Sequence, residues 1–480
     1  MINFRIIARV FSLVLIIEGF FMLLSGVVSL LYREPATLVF SAIITIVSGA
    51  LVFTPLRDEE KLSGNKEGFI IISGIWLIMS IYGTIPYLLS GTAKSFTDAF
   101  FESMSGFTTT GATILADVES RMHGIIFWRS ITQWLGGIGF IIISLSVLQV
   151  VKTINIPLTI TDFTGQPTDK IHPRTKEVAK RLVTIYISLT IAEIILLAAG
   201  GMNFFDASCH SFSTISTGGF STKNAGLSAF ASGYIPVVLT LFMFLAGTNM
   251  TLVYFSLKKN FKKITGNNEF ISYALTCLVF VIIGATALYA FSGYTPVKAL
   301  RAGSFHVISF ITTTGFYNED YTSWSPFMTL IIFMIMFTGG SAVSASGGLK
   351  IIRLLLMTRN ARHEMKRMIH PSAFIPVRLD QKRVTLNAIN NMLVFILIYL
   401  ILVCLGSFLI SLTGYDITSS FSASASMLGN IGPAMGSFGP FSTCADAPAS
   451  CKWILSFLML AGRLELFSLL ILFTRSFYRR

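Results

Sequence analysis

Charge is scarce in this chain. Only 12% of its 480 residues are Asp, Glu, Lys or Arg, against about 25% in an ordinary soluble domain. No stretch is polar enough to make a separate soluble domain. Acids are scarcer than bases, 23 against 36, for a net charge of +13. In a soluble protein that balance would invite nucleic acid. Here the bases sit in short segments between apolar runs, which points to membrane topology and away from nucleic acid. The five cysteines show no metal-ligand spacing. Cys209, Cys277 and Cys404 lie in apolar segments, while Cys444 and Cys451 bracket one loop and could be a small disulfide or two thiols. No His-Glu-x-x-His, paired intramembrane aspartates or other reactive constellation is present, so an enzyme is not expected. The Gly-Gly-Ile-Gly run at 136–139 lies inside an apolar run and is no dinucleotide fingerprint. The first apolar run follows Arg5 and Arg9 as a signal peptide's would. It is too long and has no small-x-small site after it, so a retained helix is expected.

What the chain has in quantity is apolar sequence: 53% hydrophobic residues and a mean hydropathy of +0.72. Runs long enough to span a bilayer, about 20 residues each, fall near 6–31, 36–56, 69–90, 125–151, 181–201, 234–257, 270–292, 326–357, 388–413 and 453–474. The expected fold class is an all-α membrane protein with ten transmembrane helices. An even number puts both termini on one side. Lys258, Lys259, Lys262, Lys263, the basic stretch 359–383, and Arg475, Arg479 and Arg480 share that side, which the charge rule makes cytoplasmic.

Four short stretches share one pattern: 108–112 (Thr-Thr-Thr-Gly-Ala), 216–220 (Ser-Thr-Gly-Gly-Phe), 312–316 (Thr-Thr-Thr-Gly-Phe) and the more divergent 429–433 (Gly-Asn-Ile-Gly-Pro). Each closes a segment too short to cross a membrane, at 96–113, 204–222, 296–316 and 417–436. Asp98 and Asp206 each stand 13 residues before the key glycine of their loop, and both are expected as N-caps of short helices. A helix that enters from outside and stops halfway aims its negative end at the membrane centre, which favours a cation. Non-helical backbone at that depth must be buried or line a water-filled cavity. The expected organisation is two N-terminal spans (1–60), then four span–pore-loop–span repeats at 61–151, 152–262, 263–360 and 361–480. Four hydroxyl-and-glycine loops around one axis can replace a cation's hydration shell with carbonyls, as a selectivity filter does.

Other residues stand out against the apolar background. The run 338–348 (Thr-Gly-Gly-Ser-Ala-Val-Ser-Ala-Ser-Gly-Gly) interrupts the eighth span. Its glycines each disfavour helix by roughly 0.8–1.0 kcal/mol relative to Ala, so it is a break or a site of close small-residue packing. Arg463 lies mid-span, where a charge costs at least about 2.5–3.5 kcal/mol and needs an acid or a wet cavity. Glu465 is poorly placed to pair with it, two residues on. Lys350 either belongs to the interruption or snorkels to the cytoplasmic boundary. Glu102, His210 and His306 fall on the short helices, where they tune the field of the loops or brace them. Glu18 and Glu193 are isolated acids of outer spans, expected to be structural or interfacial.

With these residues in hand, the chain resembles the Trk/Ktr/HKT superfamily of potassium transporters, and within it the TrkH-type subunit with two extra N-terminal spans. The stretches that carry the resemblance run in order through the chain: 105–113, 128–137 (Trp-Arg-Ser-Ile-Thr-Gln-Trp-Leu-Gly-Gly), 216–220, 312–316, 347–350, 429–433 and 462–463. The resemblance implies a potassium-channel-like pore for K⁺ uptake across the cytoplasmic (inner) membrane. K⁺ is the transported ion, and no bound organic cofactor is implied. A K⁺/H⁺ or K⁺/Na⁺ symporter is the alternative, and a membrane-embedded enzyme a remote one. The filter then comprises Thr109, Thr110 and Gly111; Thr217, Gly218 and Gly219; Thr313, Thr314 and Gly315; and Asn430, Ile431 and Gly432. The gate is an intramembrane loop with Gly339, Gly340, Ser341, Ser344, Ser346, Gly347 and Gly348, opposed by Arg463, with Lys350 and Glu102 in secondary roles. The resemblance also implies a homodimer and a separate cytosolic regulatory subunit with nucleotide-binding (NAD/ATP-type) domains. Loops 152–180 and 358–387 are the surfaces such a subunit or anionic lipid could reach.

Overall fold

The computed structural model describes residues 2–56, 65–152, 172–230, 232–372, 375–380 and 382–479. Most of the loop 152–180 therefore lies outside the described residues. Long helices dominate: α1 (Phe4–Leu31), α2 (Thr37–Phe53) and α3 (Asn65–Tyr82) come first. A short α4 (Phe96–Phe107) follows, then α5 (His123–Lys152), α6 (His172–Ala199), a short α7 (Phe204–Ile215), α8 (Tyr234–Gly247) and α9 (Met250–Leu257). The second half holds α10 (Asn268–Phe291), α11 (Pro296–Ile311), α12 (Pro326–Ile335), α13 (Ile351–Ile369), α14 (Leu386–Ser411), α15 (Ile417–Gly429), α16 (Ala449–Arg463) and α17 (Phe467–Leu470). Between α12 and α13 two short strands, β1 (Thr338–Gly339) and β2 (Leu349–Lys350), pair in parallel.

Among the described residues, seven helices are long and apolar enough to cross a membrane, or nine if each of two bent pairs counts once. The bends correct the reading of 234–257 and 453–474 as continuous spans. Tyr234–Gly247 and Met250–Leu257 meet at 110°, as do Ala449–Arg463 and Phe467–Phe473. The first break is driven by Asn249, whose side chain accepts from the Thr251 amide and starts a new helix. At the second, Glu465 and Leu466 take φ of 51° and 56°, outside helical space. The eighth apolar run is split as well, with helix stopping at Ile335 and resuming at Ile351.

Buried apolar side chains form two main bodies. One joins α1–α5 to α14–α17, and the other joins α6–α13. The outward faces of α1, α2, α10 and α14 stay apolar and exposed, as at Phe40, Leu51, Leu275 and Phe408, where lipid replaces protein as the neighbour. Helices α1 and α2 lie close because Gly19, Gly26 and Gly49 leave no room for a Cβ against the opposite backbone. Glu34 in their turn accepts from the amides of His123 (2.6 Å) and Gly124 (3.0 Å), tying this pair to the start of α5.

Candidate functional site

The four short helices α4, α7, α11 and α15 each end at one of the repeated loops. The starts of α4 and α7 are capped one turn earlier than Asp98 and Asp206 suggested. Ser95 caps α4 and accepts from the Asp98 amide at 3.1 Å, while Asn203 caps α7 and accepts from the Asp206 amide at 2.7 Å. Asp98 and Asp206 are helical and reach back, to Ser95 Oγ (2.8 Å) and Asn203 Nδ2 (2.9 Å). They hold the capping side chains in place instead of being the caps. Asp98 also pairs with Lys452 of α16 at 2.6 Å. Asp206 receives Thr222 Oγ1 at 2.6 Å from beyond its own loop.

The helix ends are alike in atomic detail. The amides of Thr110, Gly218, Thr314 and Ile431 reach back to the carbonyls of Ser105, Ser213, Ser309 and Ser426 at 2.7–2.9 Å. Thr109, Thr217, Thr313 and Asn430 then take φ of 53°, 55°, 55° and 54°. This is a helix stop usually left to Gly or Asn. Three β-branched threonines at positive φ are costly, of order 1–3 kcal/mol each. The key glycines Gly111, Gly219, Gly315 and Gly432 follow, with φ of 86°, 76°, 77° and 97°.

These glycines lock the loops into a closed ring. A Cβ on Gly111 would strike the Gly218 carbonyl, one on Gly219 the Thr314 carbonyl, one on Gly315 the Ile431 carbonyl, and one on Gly432 the Thr110 carbonyl. Each loop thus touches the next in chain order, and the fourth returns to the first. All four glycines line one cleft together with Phe220 and Phe316. The structure brings together every loop residue expected from the sequence. Thr109, Thr110, Thr217, Thr313, Thr314, Asn430 and Ile431 are fully buried.

The ring is braced from behind by two residues of α5, Arg129 and Gln133, which lie in the stretch 128–137 and to which the sequence alone assigns no role. Arg129 Nε pairs with Glu102 Oε1 at 2.7 Å, both buried. Arg129 also donates to the Ser221 carbonyl (3.3 Å) and lies 3.9 Å over the Phe220 ring. Glu102 accepts from Thr113 Oγ1 and the Ile114 amide, so the pair fastens loop 1 to loop 2. Gln133 binds the second loop directly, through the Gly218 carbonyl at 2.6 Å. A polar pair four residues apart in an apolar helix was the available signal, since i and i+4 share a face. His210 also braces, bridging the Asp206 carbonyl and Ser221 Oγ (2.8 and 3.1 Å). His306 contacts the Ala302 carbonyl and packs edge-on to Trp324. Glu18 and Glu193 are fully buried in outer helices, and Cys444 and Cys451 are free thiols.

Beneath the ring lies the interruption of the eighth run. Gly340 N donates to Ser346 Oγ (3.0 Å), and Ser344 Oγ donates to the Ser341 carbonyl (2.6 Å). The break between α8 and α9 receives this loop: Ser341 N donates to the Gly247 carbonyl (2.8 Å), and Met250 N to the Val343 carbonyl (3.0 Å). At its far end Gly347 N donates to Thr313 Oγ1 at 2.7 Å, and a Cβ there would strike the Gly429 carbonyl. Arg463 is buried, donating to the Ala345 carbonyl (2.8 Å) and the Gly136 carbonyl (3.1 Å), with Phe140 4.3 Å from its guanidinium. Glu465 pairs instead with Arg353 of α13, at 2.5 Å. Lys350 does not snorkel: it is buried, and its ammonium donates to the Ser346 carbonyl and hydroxyl.

Apolar helices wrapped around a buried polar ring, with a cation-bearing loop beneath it, define a multi-pass membrane protein of the transport class. The model of the TrkH family, described as cation transport protein, matches residues 34–477, and the chain belongs to that family. It is 35% identical to the Trk system potassium uptake protein TrkH of Salmonella typhimurium, over 99% of this chain and all of that one. It is 30% identical to TrkI of Halomonas elongata over 99% and 97%. The crystal structure of the potassium transporter TrkH from Vibrio parahaemolyticus superposes with a TM-score of 0.92 at 32% identity, covering both chains completely. The chain is a transporter and not an enzyme.

Proposed function

We propose that this protein carries K⁺ into the cell through a pore enclosed by the four loops, driven mainly by membrane potential. One charge crossing 100 mV is worth about 2.3 kcal/mol, enough for accumulation without ATP hydrolysis in this chain. The observation that carries the reading is the closed contact ring of Gly111, Gly219, Gly315 and Gly432. A ring of backbone at membrane depth suits a dehydrated ion, and the C-terminal ends of α4, α7, α11 and α15 favour a cation there. The filter ligands on this reading are the carbonyls of Thr109 and Thr110, Thr217 and Gly218, Thr313 and Thr314, and Asn430 and Ile431.

The segment 338–350 acts as the gate, and Arg463 sets a positive charge against ions leaving the filter. The split eighth run counts as a tenth crossing, which keeps both termini in the cytoplasm of an inner-membrane protein. Two N-terminal spans and four repeats (61–151, 152–262, 263–360, 361–480) follow from that layout. Assembly as a homodimer with a cytosolic nucleotide-binding subunit completes the reading. Arg362 and Lys366, exposed on α13, offer that subunit or anionic lipid a basic face.

The test is ⁸⁶Rb⁺ uptake into proteoliposomes loaded with K⁺. Uptake blocked by external K⁺, spared by Na⁺ and indifferent to a pH gradient is the expected result. Uptake that requires a pH or Na⁺ gradient would replace the pore by a symporter.

A further inference from the structure

The second loop departs from the others at one position. The residue before the key glycine is Thr110, Thr314 or Ile431 in three loops, but Gly218 in the second. In loops 1 and 3 the threonine hydroxyl at that place meets Thr108 or Thr312, each at 2.8 Å, and pins the loop to its helix end. Gly218 has no side chain to do this. The space is taken by Gln133 of α5, whose carboxamide would collide with any Cβ on Gly218. Gln133 Nε2 donates to the Gly218 carbonyl at 2.6 Å, and its Oε1 accepts from the Phe220 amide at 3.2 Å. The two bonds straddle Gly219. Gln133 is fully buried and belongs to the first repeat, so the clamp is supplied by a neighbouring quadrant.

We propose that Gln133 is a specificity-determining positioning residue. Its carboxamide stands in for the missing side chain and holds the Gly218 carbonyl at a fixed distance from the axis. The second loop then cannot close on an ion smaller than K⁺. A carbonyl oxygen has two lone pairs: the amide takes one from behind and leaves the other for the ion. This inference rests on the filter reading above.

Parallel ⁸⁶Rb⁺ and ²²Na⁺ uptake by the reconstituted full chain tests it. Gln133→Met keeps the length and bulk but neither donates nor accepts. It still conducts Rb⁺, and its Na⁺-to-Rb⁺ uptake ratio rises roughly fivefold, what the net worth of the one bond to the ion-facing Gly218 carbonyl supports. Gly218→Thr alone crowds Gln133 and cuts Rb⁺ uptake. The double variant Q133A/G218T rebuilds the pattern of loops 1 and 3 and brings the ratio back towards wild type. A bracing role alone would lower thermal stability and both fluxes together and leave the ratio unmoved. A wild-type ratio in Gln133→Met, with the protein folded, overturns the proposal. Wild-type protein that passes both ions alike, or neither, overturns the filter reading beneath it.

Discussion

If the segment 338–350 is the gate proposed above, Thr313→Val should open the pore without altering that segment itself. Valine keeps the β-branched shape at φ 55° and removes only the oxygen that accepts from the Gly347 amide at 2.7 Å. A buried amide left without a partner costs about 1–3 kcal/mol. That penalty falls on the conformation in which the loop lies against the ring, because a displaced loop can reach water. At 1.4 kcal/mol per decade, the open population rises roughly 5- to 150-fold from a low resting value. The assay is basal ⁸⁶Rb⁺ uptake into proteoliposomes, normalised to reconstituted protein. Thr109→Val is the control, since Thr109 holds the same place in the first loop and its hydroxyl has no hydrogen-bond partner among the described residues. Both variants change one oxygen of the ring, but only Thr313→Val breaks a contact with the gate. Faster uptake in Thr313→Val alone is expected. Equal rates in the two variants would refute the coupling.

Arg463→Gln keeps one donor for the Ala345 carbonyl but removes the charge, so Rb⁺ flux should rise while the Rb⁺/Na⁺ preference stays as it was. Glu102→Gln leaves the Arg129 guanidinium buried with its charge unbalanced, a loss of about 3–5 kcal/mol. It should appear as a marked fall in Tm in detergent, with the double variant E102M/R129M more stable than either single one. Gly219→Ala sets a Cβ at φ 76° against the Thr314 carbonyl. Its conformational cost of roughly 1–2 kcal/mol adds to the backbone shift that the Cβ forces at Thr314, so uptake should collapse and Tm should fall.

The loops were legible because their requirements are local. A glycine that takes positive φ, repeated four times and directly preceded by threonine in the first and third loops, is written in the sequence. The helix starts were legible only to within a turn, because an aspartate serves equally as a cap or as the residue that reaches back to one, and only backbone geometry separates Ser95 from Asp98. The bend at 247–250 had a signal in Asn249, hidden in a run whose hydropathy never falters. Nothing in Leu464-Glu465-Leu466 announces a turn: the packing of Glu465 onto Arg353 decides it, and Arg353 is 112 residues away. The roles of Arg129 and Gln133 were illegible for a similar reason. Their partners, Glu102 and Gly218, meet them only once the chain has folded.

The four loops close one ring, yet three different chemistries pin them: paired threonines in the first and third, a borrowed glutamine in the second, and in the fourth Asn430, whose amide donates to Thr110 Oγ1 and the Met459 carbonyl. A pore assembled from four identical chains must accept every substitution four times over. A single chain can alter one quarter of its lining and leave the rest unchanged. Ion preference in such a protein can therefore drift by small steps, and intermediate selectivities are open to inheritance that a fourfold homomer would have to leap across.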